Sequence, residues 1–320
     1  MPDSAEAIAL RQVGSLPELN TRLEPCSFRA GWNKAEPSLW PSPRTSFRPA
    51  LWKWENAKSG LDAAGRLINT ELADRRNLFL VNPIEGNHYA TLRTLVSAYQ
   101  MILPGERAKS HRHSPNALRL VLEVDEECYT IVDGVRIDMK PGDVVLTPNW
   151  CWHGHGNDGK RPGYWIDFLD VPLVQLLEGM FLEHWPDGIQ TASESTRESQ
   201  FVFSWDETQT RLACAVPDEF GRTRIELGSP ALPTIALHVE RVGPTLASRP
   251  LQTTANQVVA IVSGSGQSVI DGVTLDWTRG DVFTVPAWKS YCHQAGADAV
   301  LLYVSDSPVH EKLGFFRLNG

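Results

Sequence analysis

Three histidines carry the first chemical signal in this chain. His111 and His113 stand two residues apart in Gly105-Glu-Arg-Ala-Lys-Ser-His-Arg-His, and His153 follows in Gly142-Asp-Val-Val-Leu-Thr-Pro148-Asn-Trp-Cys-Trp-His-Gly-His155-Gly-Asn157. Side chains at i and i+2 of a strand share a face, so both imidazoles of the first pair enter one interior together. Three nitrogens from two segments form a facial set that suits Fe(II), Mn or Zn and leaves coordination positions open for a substrate. His88, His184, His238 and His310 belong to no such pattern and are read as ordinary histidines.

Short strands that close around an interior would hold such a set, and the surrounding sequence supplies them. From Leu95 the chain runs through the strand-sized pieces LVSAYQMILPG, ALRLVLEV, CYTIVDG, VRIDMKPGD and VVLTPNW, separated by Pro-Gly, Asp-Gly and acidic turns. The texture then repeats at an offset of 138 residues. Asp133 to Pro148 aligns with Asp271 to Pro286 at eight identities in sixteen positions, and the same offset sets Gly105 on Gly243, Trp150 on Trp288 and His155 on His293. Two copies of one β unit follow, at about 90–170 and 230–306, each with the texture of a double-sheet jelly roll. In the second copy Arg249 stands for His111, Leu251 for His113, Tyr291 for His153 and Gln257 for Arg119, so that copy keeps the fold without this metal site. His293 alone survives there and is read as a buried or interface histidine.

Four segments are expected. Residues 1–89 form an N-terminal arm with a short helix around Ala5 to Arg11, a Pro- and Trp-rich extended stretch bearing Trp32, Trp40, Trp52 and Trp54, and a helix to about Asp74 before a strand. Residues 90–170 form the metal-binding barrel, 171–229 a connector with a short helix, and 230–320 the degenerate barrel with its tail.

Composition bounds the function classes. The 320 residues are 42% hydrophobic and 21% charged, as in a folded globular protein. A net charge of -8 without a Lys/Arg block argues against nucleic acid, and an anionic substrate must then be met by a few placed arginines. Cys26, Cys128, Cys151, Cys214 and Cys292 lie far apart and read as free thiols in a reducing compartment, not as a disulfide framework or zinc knuckle. The chain lacks a basic head before an apolar run and any long apolar stretch, so a cytoplasmic protein with no membrane partner is expected.

The histidine segments resemble the two motifs of the cupin superfamily. Gly105, His111 and His113 fit the first, and Gly142, Pro148, His153 and Asn157 fit the second; Ala117 stands where a glutamate is usual and Trp150 where a glycine is usual. HRHSPNALRLVLE, YTIVDG and GDVVLTPNWCWHGHGN resemble, within that superfamily, the gentisate/salicylate/1-hydroxy-2-naphthoate 1,2-dioxygenase family, over some 260 residues from RRNLFLVNP through both barrels.

The resemblance implies an all-β bicupin, with two double-stranded β-helix barrels and minor helices. It implies one Fe(II) per subunit, held by His111, His113 and His153, with O2 as co-substrate. Arg119 would pair with the carboxylate of an aromatic hydroxy-carboxylate, His155 would stand beside a substrate oxygen, and Gln100, Asp167 and one of Arg75 or Arg76 would line the pocket. Asp167 also reads as part of a buried network. Ala98 falls where small residues affect substrate fit. The implied reaction splits the ring between its carboxyl-bearing and adjacent hydroxyl-bearing carbons, in a homotetramer or other homo-oligomer. The ring stays open among gentisate, salicylate, 5-nitrosalicylate or another substituted salicylate, and hydroxynaphthoate. Trp150 and Trp152 are read either as walls of a ring-binding cavity or as core. Two other classes use the same histidines: a metal-dependent isomerase or hydrolase, and a non-enzymatic small-ligand-binding bicupin.

Overall fold

The computed structural model describes residues 4–69, 75–228, 232–243 and 249–319. They fall into two compact units, residues 1–44 and 45–320. In the first, the helix Ala5–Arg11 is capped by Ser4, whose hydroxyl accepts from the amide of Ala7. A second helix that composition did not suggest, Leu16–Leu23, starts at Ser15 with Pro17 in its first turn. This helix lies ahead of the Pro- and Trp-rich stretch, and within this unit Trp32 and Trp40 are exposed.

The second unit holds the two barrels. One sheet of the first barrel orders the strands Val202–Phe203, Val144–Thr147, Ala117–Glu123, Gly163–Leu169, Val96–Ile102 and Arg76–Phe79. Facing it, Leu182–His184, Arg107–His113, His153–Asn157, Cys128–Val132, Val135–Asp138 and Glu194–Ser195 form the second sheet. Pairings are antiparallel except that of Glu194–Ser195 with Val135–Asp138. The second barrel repeats the plan with a six-stranded sheet and a three-stranded sheet of Val273–Thr278, Ser265–Ile270 and Tyr291–Ala295. Positive φ angles recur with the repeat: Gly134 and Gly272 at 83° and 81°, Trp150 and Trp288 at 62° and 61°. The last pair explains why a glycine is usual at this motif position, since only glycine takes left-handed backbone without cost.

The structure revises two boundaries. The helix expected between Gly60 and about Asp74 runs Trp54–Leu67; Ile68 has already turned extended, and residues 70–74, Asp74 among them, lie outside the described residues. The connector also does more than connect: Leu182–His184, Glu194–Ser195 and Val202–Phe203 add edge strands to the first barrel. Two- and three-residue strands are too short to carry a period-2 pattern.

The segments ahead of each barrel are exchanged between barrels. Leu51–Trp52 pairs with Val282–Val285 of the second barrel, while Val202–Phe203 pairs with Val144–Thr147 of the first. Trp54 donates its amide to Asp281 at 2.9 Å, and Trp205 donates its own to Asp143 at 3.0 Å. Each indole lies over a glycine, Gly280 at φ 88° and Gly142 at φ 89°, where an added Cβ would sit 2.7 and 2.6 Å from ring atoms. Gly142→Ala therefore combines left-handed strain with an overlap that the packed indole cannot relieve. We expect a loss of about 3 kcal/mol or more in denaturant unfolding. A change below about 1 kcal/mol would mean that this clamp does not hold the barrel.

Candidate metal centre

The metal candidates sit on the inner face of the second sheet. His111 pairs in register with His153 across the strands Arg107–His113 and His153–Asn157, and His113 follows two residues on. One nitrogen of each of the three rings lies within 4.8 Å of the others, and among the described residues this is the cluster able to hold a metal. Backbone carbonyls set the tautomers: Nδ1 of His113 donates to Pro115 O at 2.8 Å and Nδ1 of His153 to Cys151 O at 3.0 Å, which leaves both Nε2 lone pairs free. Burial, with the charge of Arg75 next, pushes His111 down to about 3. Burial likewise lowers His113, and lowers His153 well below the usual range. Neutral imidazoles are what ligation requires.

Facing them, the other sheet offers rows of cross-strand neighbours. Ala98, Asp167 and Arg119 form one row, and Gln100 and Trp165 the next. All five occupy alternate, inward positions of three neighbouring strands, and Ala98, Gln100, Arg119 and Asp167 line a cavity of about 410 Å³ together with the three histidines, His155 and Arg75. Arg119 is 3% exposed. One guanidinium nitrogen donates to Thr130 Oγ1 at 2.9 Å and to Nδ1 of His155 at 2.6 Å, another lies 3.4 Å from Asp167 Oδ1, and the group covers the Trp165 ring. Asp167 also accepts from Trp165 Nε1 at 3.0 Å. It thus lies both in the cavity wall and in a buried network. Burial raises its pKa and lowers that of Arg119, each opposed by the partner's charge. Burial, then the cation of Arg119, holds His155 well below the usual imidazole range. A guanidinium only donates, so the shorter contact makes Nδ1 of His155 the acceptor and leaves the proton on Nε2.

The structure sorts the remaining candidates. Arg76 does not line the cavity; it chelates Glu106 at 2.6 and 2.7 Å and donates to Ile68 O, while Arg75 is the one that faces inward, 2.8 Å from Nδ1 of His111. Trp150 and Trp152 are not among the residues lining the cavity. They hold the Arg112 guanidinium, 4.6 Å from each ring, and Trp152 meets Trp185 edge to face. The sequence reading also missed Phe79, Tyr89, Thr147 and Gln175, all in the cavity wall. Thr147 was recoverable, because its register partner Ala117 and the inward Arg119 alternate on one strand. Tyr89 and Gln175 come from a loop and a helix and carry no such periodicity.

The second barrel holds none of these ligands. Its His293 is 1% exposed, with Nδ1 2.7 Å from Ser268 Oγ and Nε2 2.6 Å from the Tyr303 hydroxyl. Burial, then Arg222, keeps its pKa well below the ordinary 6.5. The unfolded chain therefore binds a proton at His293 below about pH 6.5 that the folded chain refuses, and stability falls as pH drops from there. His293→Gln should flatten that fall by up to about 1.4 kcal/mol per pH unit, read from urea midpoints between about pH 6.5 and 5. An unchanged slope would mean that His293 takes its proton without unfolding.

Comparison with known proteins agrees with this geometry. Residues 98–170 match the cupin domain family. A gentisate 1,2-dioxygenase of Aquipseudomonas alcaligenes is 33% identical over 94% of this chain and 95% of its own length. The chain belongs to the gentisate/salicylate 1,2-dioxygenase family. Its relatives include a 5-aminosalicylate 1,2-dioxygenase of Comamonas, 30% identical over 89% of this chain and 85% of that one. The crystal structure of a salicylate 1,2-dioxygenase from Pseudaminobacter salicylatoxidans superposes with a TM-score of 0.85 at 27% identity, over 96% of this chain and 99% of that one. The chain is thus a bicupin and an oxidoreductase of the 1,2-dioxygenase type, and no helix among its described residues is long and apolar enough to cross a membrane.

Proposed function

We propose that this bicupin is an Fe(II)-dependent dioxygenase that inserts both atoms of O2 between the carboxyl-bearing and adjacent hydroxyl-bearing carbons of gentisate, salicylate or a substituted salicylate. The observation that carries the reading is a set of three neutral imidazoles, His111, His113 and His153, opposed by the buried cation of Arg119 across one cavity. An all-imidazole donor set fits Fe(II), one ion per subunit. Bound there, the iron would supply the open coordination positions that a hydroxy-carboxylate chelate and O2 both need.

The protein's own groups do the rest. Arg119 neutralises the substrate carboxylate through charge-assisted hydrogen bonds, and Asp167 and Trp165 fix the plane of its guanidinium. Arg75 adds a second cation, so two arginines face two carboxylates, Asp167 and that of the substrate. Arg75 now donates to Nδ1 of His111, which places that ring's proton on Nε2. Ligation through Nε2 would need that proton on Nδ1 instead, where Lys109 O stands 3.5 Å away to accept it. His155, held below the usual imidazole range by burial and then by the cation of Arg119, carries its proton on Nε2 and serves as a donor to the oxygen on which charge develops. Gln100 and Ala98 set the floor on which the ring lies.

The exposed Leu176, Leu177 and Phe181 beside the cavity wall support a homo-oligomer, which we take as a homotetramer. Free cysteines and the acidic net charge support a cytoplasmic enzyme without nucleic-acid or membrane partners. We retain the division into the arm 1–89, metal barrel 90–170, connector 171–229 and degenerate barrel 230–320, with the arm and connector equivalent in their crossing to the opposite barrel. The test loads the protein anaerobically with Fe(II) or Zn(II) and follows oxygen uptake with gentisate, salicylate, 5-nitrosalicylate and 1-hydroxy-2-naphthoate. Uptake with iron alone is the expected outcome. Turnover with zinc and without oxygen consumption would replace the reading by a hydrolase or isomerase.

A further inference from the structure

The second barrel has kept its cavity open. A space of about 220 Å³ lies where the metal cavity lies in the first barrel, and its wall is the same wall rewritten. At the 138-residue offset, His238 stands for Gln100, Gln257 for Arg119, Tyr291 for His153, Tyr303 for Trp165 and Ser305 for Asp167, and all five line it. Protein interiors close unused space with side chains, and this wall contains Tyr, His and Gln large enough to do so. The volume exceeds the roughly 150 Å³ of an apolar cavity that admits benzene.

Its chemistry is the reverse of the first. The arginines beside it are ion-paired, Arg222 with Glu240 at 3.0 Å and Arg224 with Asp218 at 3.0 Å, and the described lining carries two carboxylates, Glu240 and Glu311, against the one cation of Arg224. One run of donors is satisfied internally. Trp277 Nε1 donates to Ser268 Oγ, the Ser268 hydroxyl to Nδ1 of His293, Nε2 of His293 to Tyr303, and Tyr303 to Glu240. Acceptors remain. Gln257 Oε1 is buried without a hydrogen-bond partner, and Glu311 stands at the exposed rim. A carboxylate here would meet Glu240 and Glu311, whereas a hydroxyl satisfies the open acceptor.

We propose that the second barrel retains a binding site for a small uncharged molecule that carries hydroxyl groups, of about the size of one ring. Gln257 Oε1 accepts one hydroxyl and the rewritten wall excludes carboxylates, so this site and the metal cavity take different ligands. Aromatic and aliphatic hydroxyl compounds share this chemistry, and the two probes separate them.

The experiment is anaerobic calorimetric titration of the full-length Fe(II)-loaded protein with resorcinol and with xylitol. The hydroxyls of resorcinol are too far apart to chelate one metal ion. Saturable binding of one probe is expected, resorcinol naming an aromatic and xylitol an aliphatic ligand. Gln257→Met, which keeps the side-chain length without the amide, should weaken it at least fivefold; His153→Ala, which alters only the first cavity, should leave it unchanged. Ser305→Ala repeats the test should Gln257→Met melt lower than the parent. Failure of both probes to bind overturns the proposal, as does binding lost in His153→Ala or untouched in both second-barrel variants. Because the readout is binding, it is independent of whether the first cavity cleaves rings.

Discussion

His153→Ala is expected to abolish metal retention and to lower ring-opening turnover by about a thousandfold or more, a loss of roughly 4 kcal/mol of transition-state stabilisation. His153 is the ligand from the second segment, 3% exposed and in register with His111, so its loss leaves two of the three imidazoles. The effect on the fold should be small. Truncating a ring that already lines a cavity removes little packing, and burial opposes protonation of His153 with help from His111 and His113. Two melting curves separate metal from fold. With Fe(II) at a hundred times its dissociation constant the parent should gain about 2.7 kcal/mol from ligation, and the variant nothing. A variant that melts like the parent with added metal and still turns over would remove His153 from the ligand set.

Arg119→Met should lower kcat/KM for every hydroxy-carboxylate by about a hundredfold to a thousandfold, because the carboxylate then enters a buried site without its cation. It should also destabilise the barrel by about 3 kcal/mol, since Asp167 is left as an unpaired buried carboxylate. Burial already raises the pKa of Asp167, so part of that cost is relieved by protonation, and the variant should lose less stability at low pH than at neutral pH. Arg119→Met with Asp167→Asn distinguishes the two roles. Stability should return while kcat/KM stays low. Recovery of both would make Arg119 a structural partner of Asp167 and leave the carboxylate to Arg75.

Much of this centre was legible because strand periodicity is rigid. His-x-His fixes two side chains on one face, and the same alternation carries Ala98 and Gln100, and from Ala117 to Arg119, into the cavity. The repeat was legible because turns demand particular residues: Asp133-Gly134 and Asp271-Gly272 both place two successive residues at positive φ. Arg75 and Arg76 could not be told apart, since adjacent positions near a strand's start face opposite ways and the four residues Arg76–Phe79 are too short a strand to show their register in sequence. Trp150 and Trp152 misled because aromatic side chains near a ligand motif serve a cavity or a surface stack equally well, and here Arg112 takes both. The exchanged segments escaped because Trp54 and Trp205 correspond at an offset different from that of the barrels.

The most direct measurement is a single turnover of the Fe(II)-loaded enzyme with salicylate or gentisate under 18O2, with the product analysed by mass spectrometry. The account predicts a ring-opened product heavier than its substrate by one dioxygen molecule, with the label in both added oxygens and none in an Arg119→Met sample at the same time point. A product labelled in one oxygen or none, formed by iron-loaded protein, would contradict it.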